Sequence, residues 1–125
     1  MTHRVAQVHV VEGDSALRSS IQFALKAEGF TVQEYPDARS FLEHADFSIR
    51  SCAVVDYNLP DMTGLELIAI LRQHAVKIPA ILTASIPTPE IHKDAAVLKI
   101  SVVEKPFLGD HLMDAIRSVF HLPPE

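Results

Sequence analysis

Four polar residues stand where short apolar runs end. Glu12 follows Gln7-Val8-His9-Val10-Val11, Asp56 closes Cys52-Ala53-Val54-Val55, Thr83 closes Ala80-Ile81-Leu82, and Lys105 follows Val102-Val103-Glu104. If the runs are neighbouring strands, a carboxylate, a hydroxyl, an ammonium and a second carboxylate meet on one rim. A carboxylate can attack a phosphoryl group once the repulsion between the two is relieved. A divalent cation bridging carboxylate and phosphoryl oxygens supplies most of that relief. A lysine pairs with another phosphoryl oxygen as a point charge, and a hydroxyl donates to a third. That is the positioning and electrostatics that phosphoryl transfer needs.

The elements that would position these groups alternate in type. Gln7–Val11 reads as a strand, and Ser15–Glu28 as a helix with Leu17, Ile21, Ala24 and Leu25 on one face. Asp14 or Ser15 is its cap and Gly29 its stop. Phe30–Tyr35 reads as a second strand. Asp37 is placed to cap a second helix running to about Phe47, with Phe41 and Leu42 as buried contacts. Cys52–Asp56 is almost wholly apolar, as suits a central parallel strand covered on both faces. A third helix is expected over Leu65–His74, a fourth strand over Ala80–Thr83, and a fourth helix opening at Thr88-Pro89. Val102–Glu104 is the fifth strand, and Asp110 is placed to cap a last helix through Phe120. The order βαβαβαβαβα predicts a parallel α/β sheet with helices on both faces. In such sheets ligands collect beyond the carboxyl ends of the strands, where the four polar residues stand.

The bulk composition agrees. A chain of 125 residues suits one domain, and 48% apolar content suits a folded core. The single cysteine, Cys52, excludes an internal disulfide and reads as a small buried hydrophobe. No apolar run is long enough to span a bilayer, and the N-terminus lacks a secretory layout, so cytoplasmic residence is expected. A formal net charge of −5 argues against direct nucleic-acid binding, which needs a clustered basic face. The end of the chain, His121-Leu122-Pro123-Pro124-Glu125, is expected to fray. The seven histidines show no metal-ligand spacing and read as scattered surface or strand residues. His44, on a helix, suits a phosphotransfer role poorly, because that role belongs to all-helical bundles. Asp61 reads as organising the turn that ends in Gly64, and Met62 as loop packing.

Four segments carry a resemblance. Val8-His9-Val10-Val11-Glu12-Gly13-Asp14-Ser15-Ala16-Leu17-Arg18 resembles the first strand and acidic loop of response regulator receiver domains. Val55-Asp56-Tyr57-Asn58-Leu59-Pro60-Asp61-Met62-Thr63-Gly64-Leu65-Glu66-Leu67 is similar to the family's phosphorylation-site segment. Ile81-Leu82-Thr83-Ala84 and Val103-Glu104-Lys105-Pro106-Phe107 match its last two motifs. The resemblance covers essentially the whole chain, and its look is that of the nitrogen-fixation-type regulators. It implies a flavodoxin-like (βα)5 three-layer sandwich with strand order 2-1-3-4-5. It implies one receiver domain over residues 1–125, with a core of about 6–121 and no output domain. Asp56 would take a phosphoryl group from a histidine kinase or phosphotransfer protein. Mg²⁺ would be held by Glu12, Asp56 and the backbone carbonyl of Asn58, Thr83 and Lys105 would contact the phosphoryl group, and Lys105–Pro106 would be a cis bond. The changed surface would then alter binding to a downstream protein, the domain being a monomer or weak homodimer.

Three positions depart from the family's pattern. The usual pair of acids is Glu12-Gly13 here, and glycine cannot replace a metal-ligating acid, so weaker Mg²⁺ binding is expected. Val102 stands where Tyr or Phe is common and has no ring to swing behind Thr83. Leu98-Lys99 replaces an Ala-Gly-type pair at the end of the fourth helix. These departures support a second reading, a degenerate receiver that binds partners without phosphorylation. A third reading, a hydrolase or phosphatase with an aspartyl nucleophile, needs a second acid where Asn58 stands, and an amide cannot serve as general acid. A Gly-rich nucleotide loop is also missing from the sequence.

Overall fold

The computed structural model describes residues 6–106 and 110–121. Phe107 of the last motif and residues 122–125 of the tail expected to fray lie outside them. Ten elements alternate: β1 (Gln7–Val11), α1 (Ser15–Ala27), β2 (Thr31–Tyr35), α2 (Ala38–His44), β3 (Ser51–Asp56), α3 (Gly64–Gln73), β4 (Ala80–Ala84), α4 (Pro89–Val97), β5 (Ser101–Glu104) and α5 (His111–Phe120). The strands form one parallel sheet of order β2-β1-β3-β4-β5.

The apolar runs of β1, β3 and β4 are buried at every position, because helices cover both faces of the centre of the sheet. Alternate residues serve different cores. Val11, Ala53, Val55 and Leu82 join Phe41 of α2, Leu67, Ile68 and Leu71 of α3, and Ile91 of α4. Val8, Val10, Val54 and Ile81 join Ile21 and Leu25 of α1 and Ile116 and Phe120 of α5. The period of two along each strand is thus read by two separate helix layers.

Local chemistry sets the helix starts. Asp14 accepts from Leu17 N, Asp37 from Ser40 N and Thr88 from Ile91 N, the last with Pro89 in the first turn. Thr63 and Glu66 form a reciprocal capping box on α3. Asp110, expected to cap α5, makes no side-chain capping bond. Two further expectations change. Helix α2 stops at His44 rather than near Phe47, because Ala45 turns extended, although Phe47 still packs on the core. Leu42 is on the solvent side of this short helix, 36% exposed, while Phe41 is wholly buried.

The end of α4 shows what replaces glycine. Lys99 itself takes a left-handed conformation, φ 59°, and its amide bonds to Ala96 O at 3.1 Å while Ile100 N bonds to Ala95 O at 3.1 Å. The two bonds offset the strain of a side chain in that region, roughly 1 kcal/mol.

Candidate functional site

Residues distant in sequence converge at the carboxyl rim of the sheet. β3 and β4 pair Asp56 with Thr83, so the two side chains share a face and a level. Lys105, next after β5, sends its ammonium across the rim to Asp56 Oδ1 at 3.0 Å and Glu12 Oε1 at 3.4 Å. Glu12, Asp56 and Thr83 are almost wholly buried, at 3%, 5% and 1% exposure. The peptide bond Lys105–Pro106 is cis, as the resemblance implied.

The surrounding backbone holds this arrangement. Tyr57 N donates to Thr83 O at 2.8 Å and Lys105 N to Ala84 O at 2.8 Å, so the chain leaves the rim with its hydrogen bonds satisfied. Glu12 N donates to Tyr35 O at 3.1 Å, and Glu12 Oε2 accepts from Asp14 N at 3.1 Å. Arg18 donates from Nη1 to Glu12 O at 2.7 Å and lies 3.7 Å from Glu34. The role of Arg18 escaped the sequence reading, because its bond runs from the first turn of α1 back across the loop to the residue after β1 and has no periodic signal. Gly64 was likewise read only as a turn end. A Cβ there would lie 2.5 Å from Asp56 O, 2.8 Å from Leu82 Cδ1 and 2.9 Å from Val55 Cγ1. Only glycine lets α3 start this close under the backbone of Asp56.

The charges are mutually adjusted. Burial raises the pKa of Glu12 above the ordinary carboxylate value, the Asp14 amide opposes this, and the charge of Asp56 adds to it while Lys105 works against it. For Lys105, burial favours the neutral amine, but the Asp56 and Glu12 carboxylates outweigh it and the pKa is raised. One ammonium thus serves two buried carboxylates.

The donor set is all oxygen. Glu12, Asp56 and the backbone carbonyl of Asn58, two residues on, would offer oxygen ligands of the kind magnesium takes, with water for the remainder. Gly13 contributes no ligand, and among the described residues no three or more His, Cys, Asp or Glu side chains gather in a way that could hold a metal ion. The residues therefore fit a cation held largely by water.

Several residues singled out in the sequence do other work. Asp61 accepts from Ala38 N at 3.1 Å and Arg39 N at 2.9 Å, so it reaches across to the start of α2 rather than only shaping its own turn. Burial opposes its charged form, but these and neighbouring backbone amides together hold its pKa below the usual value. Met62 packs against the core. Cys52 is wholly buried, and burial pushes its thiol up to about 12. Val102 is half-buried against the α2–α3–α4 side of the core. His9, expected among scattered surface or strand residues, is a strand residue with no solvent contact. Its Nδ1 lies 2.9 Å from the Tyr35 hydroxyl, and its ring packs edge-on to Phe41.

A five-stranded parallel sheet in this order, with helices on both faces, defines a flavodoxin-like fold. The sequence profile of the response regulator receiver domain family matches residues 8–117. This chain belongs to that family: it is the receiver domain of a two-component response regulator. It is 32% identical over 117 residues to the transcriptional regulatory protein FixJ of Rhizobium meliloti, covering 92% of this chain and 57% of that protein. It is 25% identical over 128 residues to the response regulator protein TodT of Pseudomonas putida, covering 100% of this chain and 56% of TodT. The chain thus spans a little over half the length of these curated relatives. Among solved structures, the crystal structure of FixJ-N superposes with a TM-score of 0.83 at 29% identity, covering 98% of this chain and 100% of that one. A CheY-like receiver domain from Methanospirillum hungatei JF-1 shares the fold, with a TM-score of 0.85 at 21% identity over 94% of this chain and 95% of that one. Receiver domains typically bind Mg²⁺ and interact with histidine kinases, and they are not enzymes in the ordinary sense. No helix among the described residues is long and apolar enough to cross a membrane.

Proposed function

We propose that Asp56 is the phosphoacceptor. The observation that carries this reading is the Lys105 ammonium at 3.0 Å from Asp56 Oδ1 on a buried rim shared with Glu12 and Thr83. With Oδ1 held by Lys105, Oδ2 is the attacking atom. The new bond joins Oδ2 to phosphorus, the N–P bond of a phosphohistidine breaks, and its electron pair returns to the imidazole nitrogen. Lys105 then pairs with a phosphoryl oxygen and Thr83 donates to another. Glu12, Asp56 and the Asn58 backbone carbonyl would hold a Mg²⁺ ion, which would supply charge neutralisation beside the phosphoryl group.

In this reading residues 1–125 form a single receiver domain in the cytoplasm, a monomer or weak homodimer without direct nucleic-acid contact. A histidine kinase or phosphotransfer protein is the donor, and a downstream protein or a further region of a longer regulator reads the change. The second reading, a scaffold that works without phosphorylation, draws on Gly13 and on Lys105 already bridging both carboxylates. Incubation with Mg²⁺ and acetyl phosphate, followed by intact mass, separates them. A hydroxylamine-labile phosphoryl adduct that vanishes in Asp56→Asn supports the first reading. An unchanged mass at high donor concentration supports the second.

A further inference from the structure

Beside the rim, a groove of about 400 Å³ runs between the loops that follow β3 and β4 and the helices α3 and α4. Its apolar lining includes Tyr57, Leu65, Ile86 and Ile91, and its charged lining is Glu90 and Asp94. No lysine, arginine or histidine among the described residues lines it. Glu90 and Asp94 lie one helical turn apart, where like charges repel, and neither joins an ion pair among the described residues. Ile86, at 79% exposure, is a large apolar side chain left in water at the edge of the groove. The groove therefore offers apolar contact on one side and an unneutralised pair of carboxylates on the other.

We propose that this groove docks a partner polypeptide segment that presents a lysine or arginine flanked by an apolar side chain. The cation would lie between Glu90 and Asp94, and the apolar neighbour would cover Ile86 and Tyr57. Charge complementarity selects the occupant: an acidic segment meets two carboxylates with nothing to offset them. The position also couples docking to the rim. Tyr57 and Asn58 follow Asp56 directly, and the Tyr57 amide is bonded to Thr83 O at 2.8 Å, so a segment seated here rests on the backbone that aligns Asp56 with Thr83.

The test uses acetyl-Ile-Arg-Leu-amide against its Glu-for-Arg counterpart, followed by amide shifts of the ¹⁵N-labelled protein. Mg²⁺ and phosphodonor are left out, so the result does not depend on phosphorylation of Asp56. The Arg peptide is expected to shift Tyr57, Asn58, Ile86 and Asp94, and the Glu peptide to leave them in place. The double variant Glu90→Gln/Asp94→Asn is expected to weaken the Arg peptide about fivefold, as loss of two partly exposed ion pairs implies. Ile86→Ser, at an exposed position that does not threaten folding, is expected to weaken it as well. Equal shifts with both peptides, shifts confined to another surface, binding unchanged in the double variant or in Ile86→Ser, or no shift at millimolar peptide each overturn the proposal.

Discussion

The ammonium of Lys105 lies 3.0 Å from Oδ1 of Asp56, although 49 residues separate the two in the chain. The same ammonium lies 3.4 Å from Glu12, 93 residues away. One positive charge thus compensates two buried negative ones. Lys105→Met leaves both carboxylates facing each other without a cation, and breaking such a cluster is costly. The lysine side chain keeps some solvent contact, so the expected loss is about 2 kcal/mol at neutral pH, read from urea unfolding. It should shrink in mild acid, because the raised pKa of Glu12 lets that carboxyl take a proton early. An equal loss at neutral and acid pH would contradict this account of the rim.

Gly13 places no carboxylate beside Glu12 on the rim. A Cβ at this position would lie 3.2 Å from Pro60 Cδ and 3.3 Å from Pro60 Cγ, so a side chain fits if the proline ring yields by a few tenths of an ångström. Gly13→Asp is expected to bind Mg²⁺ about tenfold more tightly, equivalent to about 1.4 kcal/mol, by calorimetric titration. The metal-free protein should lose stability at the same time, since a third carboxylate joins a rim with one ammonium. Equal affinity in both proteins would show that the missing acid is immaterial.

His9 should give the protein an acid-sensitive core. Its Nε2 is buried without a partner among the described residues, and Nδ1 is bonded to Tyr35. Burial lowers its pKa below 6.5, with Asp46 opposing weakly. As pH falls through 6.5 the unfolded chain takes up a proton that the folded chain refuses, so stability declines from there until the folded pKa is reached. The contribution is at most about 1.4 kcal/mol per pH unit. His9→Phe should have a flatter stability profile between pH 6.5 and the folded pKa in denaturant melts. Parallel profiles for the two proteins would place the acid sensitivity elsewhere.

Gly64→Ala places a methyl group against backbone, where nothing flexible can move aside. The nearest atom is Asp56 O at 2.5 Å. A loss of roughly 3 kcal/mol is expected, at the upper end for an overpacked core site. Because the clash bears on the residue that would accept the phosphoryl group, modification by acetyl phosphate should also slow in protein that remains folded. Wild-type stability with wild-type modification would refute the close-approach argument.

Much of this was legible in the chain because strand and helix periods are local. The runs at Val8–Val11, Cys52–Val55 and Ala80–Leu82 announce buried parallel strands, and residues at their carboxyl ends must share a rim because parallel strands all end on the same edge of the sheet. Asp14, Asp37 and Thr88 are legible caps for the same reason: each bond closes within three residues. Other features depend on where separate elements come to rest. Burial of His9 against Tyr35 and Phe41 requires β1, β2 and α2 to be stacked. Asp61 capping α2 requires two loops to meet, and Lys99 adopting a left-handed conformation depends on the bonds that hold the end of α4. The sequence by itself determined the order of elements and which polar groups stand at strand ends. Only the tertiary structure decided that one lysine neutralises two carboxylates, because the distance between side chains on different strands is set by packing and not by position along the chain.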